Sequence, residues 1–60
     1  MPYVIVEMIE GRTVEQKRAA AKAITDAIVT HLNTTPEATH VIFHEKSREN
    51  FAHGGKLLSD

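Results

Sequence analysis

The sequence predicts an α/β (α+β) fold. The protomer is expected to be a single β-α-β unit with a C-terminal hairpin and to oligomerise through shared sheets. Three observations predict this fold. An alternating apolar run lies near the start, a long segment with helical spacing fills the middle, and a second apolar run follows it. With 60 residues and no cysteine, the chain is expected to form one domain over residues 1–60 without disulfides.

The first predicted element is a strand over residues 2–8. Its odd-numbered residues from Tyr3 to Glu7 share one face, and its even-numbered residues from Val4 to Met8 share the other. Because apolar residues occur on both faces, we expect most of the strand to be covered on both sides. Residues 9–12 form the loop that leaves the strand.

The second predicted element is a helix from Val14 to Leu32. It begins at a capping-box pattern, with Thr13 as the N-cap and Gln16 at the third helical position. The apolar residues that follow at helical spacing are Ala20, Ala21, Ile24, Ala27, Ile28 and Leu32. Asn33 is the expected C-cap, and the Thr-Pro pair after it begins a short turn.

The third predicted element is a strand over residues 39–45. Val41 and Phe43 lie on one face, and His40, Ile42 and His44 lie on the other. The helix between the two strands is long enough for a right-handed crossover, so the strands are expected to be parallel.

The tail is predicted to be a polar loop over residues 46–50 and a hairpin that turns on Gly54 and Gly55. Two strands and one helix are marginally stable alone, and such a sheet has two open edges. We therefore expect an oligomer in which copies of the chain cover these edges and faces.

Composition excludes several classes of function. The net charge of −1 argues against a nucleic-acid partner, and no stretch is apolar enough to predict a signal peptide or a membrane span, so we expect a cytoplasmic protein. His40 and His44 share a strand face but stand roughly 13 Å apart, too far to bind one metal ion. A protein metal site is therefore not expected.

Two residues are candidates for chemistry. Arg12 precedes the helix N-terminus, where a guanidinium group suits a carboxylate, although a solvated loop arginine is the commoner outcome. Pro2 has a free secondary amine if Met1 is removed, and an apolar site together with the charge of Arg12 favours the neutral amine. A neutral amine is a general base, whereas most residues at position two are inert.

The strand behind Pro2, the segments EGRTVEQKR and NFAHGGKLLSD, the long helix and the second strand together resemble the 4-oxalocrotonate tautomerase family over essentially the whole chain. The resemblance implies a homohexamer, described as a trimer of dimers, in which two protomers share a four-stranded sheet. It also implies proton movement within small unsaturated 2-hydroxy or 2-keto carboxylic acids, in aromatic degradation, without a cofactor or metal.

The resemblance assigns roles to residues of this chain. Pro2 is the proton shuttle, Arg12 binds a substrate carboxylate, and Phe51 keeps the site apolar. His40 stands where relatives carry a second substrate-binding arginine, which a neighbouring subunit contributes, and Arg48 is the alternative for that role.

Two other activities remain open at this point. His53, close to Phe51, is a possible second base, so a hydratase or dehalogenase-like activity is one alternative. A non-catalytic subunit of a tautomerase-like oligomer is the other, favoured by His40 and by the presence of Met1.

Overall fold

The computed structural model describes all 60 residues. The elements are β1 (Tyr3–Ile9), α1 (Val14–Leu32), a 3₁₀ helix (Pro36–Ala38), β2 (His40–Lys46), a 3₁₀ helix (Arg48–Asn50), β3 (Ala52–His53) and β4 (Lys56–Leu57). β1 and β2 form a parallel two-stranded sheet with α1 as the crossover, and β3 and β4 form an antiparallel hairpin. The predicted α/β (α+β) fold, the parallel pairing and the hairpin are confirmed, whereas oligomerisation through shared sheets stays a prediction.

The helix bounds agree with the prediction because local hydrogen bonds define both ends. The Thr13 hydroxyl oxygen accepts a hydrogen bond from the Gln16 N–H at 3.1 Å, and the Gln16 side-chain oxygen accepts one from the Thr13 N–H at 2.9 Å. Asn33 ends the helix in the left-handed conformation, with φ at 54°. Asparagine tolerates that conformation better than most residues do.

Both long strands lie one residue later than predicted. The ladder between them continues at each end, where His40 donates its N–H to the Pro2 carbonyl and Glu10 donates its N–H to the Lys46 carbonyl. The second bond places Lys46 at the end of β2, so the prediction that Lys46 belongs to a loop is wrong. Residues 48–50 of that predicted loop form a short 3₁₀ helix.

The helix contacts the sheet along a stripe that differs from the predicted one. Its half-buried residues are Lys17, Ala20, Ala21, Ile24, Thr25, Ile28 and Val29. Ala27 and Leu32, predicted within the stripe, are exposed. At 100° per residue Ala27 falls on the flank away from Thr25 and Val29, and Leu32 is the last helical residue.

One face of the sheet is open in the single chain. Tyr3, Ile5 and Ile42 on this face are 62%, 59% and 47% exposed, and none of the 60 residues is fully buried. The radius of gyration is 14.5 Å, whereas a compact chain of this length has about 10 Å. β1 was predicted to be covered on both faces, but in the single chain only the face toward α1 is covered.

The structure contains no helix with the length and apolar character that crossing a membrane requires.

Candidate active site

The parallel register divides the predicted site residues between the two ends of the sheet. Both strands begin at one end, which holds Pro2 and His40, and we call this the proline end. Both strands finish at the other end, which leads to Arg12 and Phe51, and we call this the Phe51 end. β1 spans seven residues at about 3.3 Å each, so the two ends lie about 23 Å apart. One small molecule cannot contact both ends of the same chain.

At the proline end, backbone pairing fixes the first residues of the chain. The N–H of His40 donates to the carbonyl oxygen of Pro2 at 3.0 Å. The rings of Tyr3 and His40, which are direct partners in the register, lie with their centroids 5.0 Å apart and tilted by 35°. The Nε2 atom of His40 is shielded from solvent and has no hydrogen-bond partner within the chain.

At the Phe51 end, a cavity of about 370 Å³ opens on the sheet. Its lining residues are Glu7, Met8, Ile9, Lys46 and Phe51. Phe51 is 43% exposed there, so the cavity has an aromatic wall that a single chain leaves partly uncovered.

Arg12 stays close to the end of β1 because of the turn that follows the strand. Gly11 has a φ of 132°, a value that residues with a side chain rarely adopt, and it turns the chain out of the strand. The Arg12 guanidinium Nη1 atom then lies 3.4 Å from the carbonyl oxygen of Ile9, and the side chain is exposed. Arg12 also borders a smaller cavity of about 150 Å³ between α1 and the sheet.

The other two candidates from the sequence follow the Phe51 end. Arg48 is exposed in the 3₁₀ helix that precedes Phe51, and His53 is exposed in β3. Arg48 is therefore at the opposite end of β2 from His40, and within one chain these two candidates belong to different halves of the site.

A charged cluster that the sequence did not predict lies on the open face next to Phe51. The Lys46 ammonium donates a hydrogen bond to Glu7 Oε1, and His44 Nδ1 lies 3.1 Å from Glu7 Oε2. The hydrogen bonds from Lys46 and His44 hold the pKa of the Glu7 carboxyl below its ordinary value of 4.5. Alternation along each strand shows which of its own residues share a face, but it does not show which residues of β1 and β2 lie side by side. The register places Glu7, His44 and Lys46 together on one face, and the sequence alone does not reveal it.

No group of three or more His, Cys, Asp or Glu side chains is arranged to hold a metal ion.

Comparison with known proteins defines the class of this protein. Residues 2–60 match the family described as "Tautomerase enzyme", so the chain belongs to the tautomerase family and is an isomerase. The predicted family is confirmed.

The individual relatives match over nearly their whole lengths. A "Probable tautomerase" from Bacillus cereus is 51% identical over 61 residues, which cover 100% of this chain and 98% of the relative. The "2-hydroxymuconate tautomerase" from Bacillus subtilis is 42% identical over 60 residues, covering 100% of this chain and 97% of the relative. A crystal structure of a 4-oxalocrotonate tautomerase homologue superposes with a TM-score of 0.96 at 35% identity, covering 100% of this chain and 95% of that one.

Proposed function

We propose that this tautomerase interconverts the enol and keto forms of small unsaturated 2-hydroxy and 2-keto acids, with the Pro2 amine as general acid and base. The neutral amine accepts the hydroxyl proton of the enol and then returns a proton to carbon, which leaves a conjugated ketone. Proton transfer by a positioned group of this kind typically contributes about 10²–10⁴-fold in rate. The similar protein from Bacillus subtilis, named for 2-hydroxymuconate, supports this substrate class.

Arg12 and Phe51 supply the binding half of the proposed site. The guanidinium group of Arg12 presents a planar fork that matches a carboxylate and stays charged at any ordinary pH. Phe51 forms an apolar wall of the cavity at the same end of the sheet, and an apolar site favours the neutral form of an amine.

The observation that carries the proposal is the separation of the two halves along the sheet. Pro2 lies at one end and Arg12 at the other, about 23 Å apart, so a working site needs the proline end of one chain beside the Phe51 end of another. Two chains that share a four-stranded sheet in antiparallel orientation meet this requirement. The open face with Tyr3, Ile5 and Ile42 supports further assembly into a homohexamer, a trimer of dimers.

His40 is the proposed second polar group at the proline end. A shielded nitrogen without a hydrogen-bond partner costs roughly 1–3 kcal/mol, so the unpaired Nε2 atom favours a partner from outside the chain, such as a substrate oxygen or a neighbouring subunit. Arg48 is the alternative, and it would enter from the Phe51 end of another chain.

The proposal requires the removal of Met1. While Met1 is attached, the Pro2 nitrogen is an amide and cannot act as a base. Intact-mass measurement on the purified protein, followed by an ultraviolet assay of phenylenolpyruvate ketonisation, tests this directly. Protein that lacks Met1 is expected to be active, and full activity in a Pro2→Ala variant would refute the assignment.

A non-catalytic subunit of a tautomerase-like oligomer is the second candidate. The presence of His40 favours it. It predicts no ketonisation above the buffer rate even after Met1 is removed. For either candidate we infer a cytoplasmic location, and for the active enzyme a place in aromatic degradation.

A further inference from the structure

The charged cluster and the Phe51 cavity share two residues. Lys46 and Glu7 both line the cavity, and Lys46 is paired in the register with Ile9, whose carbonyl oxygen lies beside Arg12. The Lys46 side chain is 34% exposed, so its ammonium group is partly accessible while its backbone is fixed in β2. Lys46 is therefore a second cation at the end of the sheet that holds Arg12.

We propose that Lys46 binds an anionic oxygen of the substrate in the Phe51 cavity, and that Glu7 weakens this binding by competing for the same ammonium group. This inference rests on the function proposed above and adds a specificity-determining pair to it. Lys46 contacts the substrate, whereas Glu7 acts through Lys46.

Hydrogen-bond capacity supports the role of Lys46. An ammonium group carries three donors, and Glu7 Oε1 accepts one of them. The remaining donors belong to a side chain that lines a cavity whose other walls are Glu7 and the apolar residues Met8, Ile9 and Phe51. Lys46 is the one cation among these lining residues, so an anionic oxygen entering the cavity would bind there, in competition with Glu7.

The partners of Glu7 support its role as a competitor. Its Oε1 atom accepts a hydrogen bond from the Lys46 ammonium, and His44 Nδ1 lies 3.1 Å from both carboxylate oxygens. The hydrogen bonds from Lys46 and His44 lower the pKa of the Glu7 carboxyl, which favours the ionised form that competes for the Lys46 ammonium group. The charged groups facing one another here are Glu7 from β1 and His44 and Lys46 from β2, with Arg12 at the edge.

Substitutions at the two positions are expected to act in opposite directions. Lys46→Met removes the ammonium group at similar length, and we expect KM for phenylenolpyruvate to rise about 10-fold with kcat within about 2-fold, as for loss of a charge-assisted hydrogen bond. Glu7→Gln frees the ammonium group, and we expect KM to fall about 2- to 5-fold. Lys46→Arg is expected to retain most of the binding.

A second lysine–carboxylate pair provides the control. Lys22 donates to Asp26 at 2.8 Å on the exposed side of α1, away from both cavities. Lys22→Met and Asp26→Asn change the net charge in the same way as the test variants. They are expected to leave KM unchanged.

The opposite expected changes in KM for Lys46→Met and Glu7→Gln distinguish substrate binding by Lys46 from a purely structural ion pair. If the pair only stabilises the sheet, Lys46→Met and Glu7→Gln will both weaken binding or both leave it unchanged, and either outcome overturns the proposal. If Lys46→Met fails to fold, as judged by circular dichroism, Lys46→Gln replaces it in the same comparison.

A binding measurement keeps this inference distinct from the proposed function. Titration of maleate, an unreactive dicarboxylate, followed by ¹H–¹⁵N NMR, reports affinity without turnover. Weaker maleate binding in Lys46→Met and tighter binding in Glu7→Gln support the inference even if Pro2→Ala shows that the proposed chemistry is wrong. Equal affinities in all variants overturn it even if the enzyme is active.

Discussion

A composite site predicts that two inactive variants restore each other. Pro2→Ala replaces the ring amine that is the proposed base at the proline end with a more mobile primary amine, and Arg12→Ala removes the proposed carboxylate binder at the Phe51 end. Each variant alone is expected to lose most of its kcat/KM for phenylenolpyruvate. When the two are unfolded, mixed in equal amounts and refolded together, sites form that take Pro2 from one chain and Arg12 from the other.

The size of the recovery follows from the geometry. Pro2 and Arg12 of one chain lie about 23 Å or more apart along β1, so each site is expected to draw them from different chains. With random assembly in a symmetric oligomer, about a quarter of the sites combine an intact Pro2 with an intact Arg12, so the mixture should show about a quarter of the wild-type activity. Sites built within one chain would recover none.

The assay is the decrease in enol absorbance at a fixed total chain concentration, with intact mass confirming that Met1 is absent. The control is each variant unfolded and refolded alone, and a mixture of the two folded variants without unfolding. Activity in the refolded mixture that stays at the level of the separate variants would refute the shared site. Recovery well above one half would contradict the random-assembly arithmetic.

Three further predictions test the fold and the assembly. Ile42→Lys places a charge on the open face and is expected to shift the oligomer to smaller species in light scattering, whereas Lys at the exposed helical position Ala27 should not. Thr13→Ala removes the capping hydroxyl and is expected to lower the free energy of unfolding by about 1 kcal/mol in urea, with the exposed Thr30→Ala as the control. The lowered pKa of Glu7 implies stability that is present above the ordinary value of 4.5 and is lost as the pH falls through the lowered pKa. The difference in melting temperature between wild type and Glu7→Gln should therefore shrink on acidification below pH 4.5, and a difference that is constant with pH would contradict this linkage.

Local patterns in the sequence account for most of the secondary structure. The capping box at Thr13 and the left-handed Asn33 define α1 through bonds between residues three or four positions apart. The alternation in β1 identifies which of its residues share a face, and the glycines at 54 and 55 identify the tail hairpin. These features depend on residues that are close to one another along the chain, so they can be predicted from the sequence alone.

The strand ends and the helix stripe depended on contacts between distant residues. Lys46 joins β2 because its carbonyl accepts a hydrogen bond from Glu10, which a local reading of residues 46–50 could not include. Ala27 fits a helical period but faces away because the position of the sheet selects which side of α1 is covered. The helical period identifies residues that can share one side of α1, and contact with the sheet decides which side is covered.

The amino-acid sequence was sufficient to predict the helix and strands and to single out Pro2 and Arg12 as candidate residues. That these two lie at opposite ends of one sheet, and that Glu7 meets Lys46 beside Phe51, follows from the folded structure. The physical reason is the register between strands almost forty residues apart in the chain. That register results from packing the whole β-α-β unit, and no local pattern encodes it.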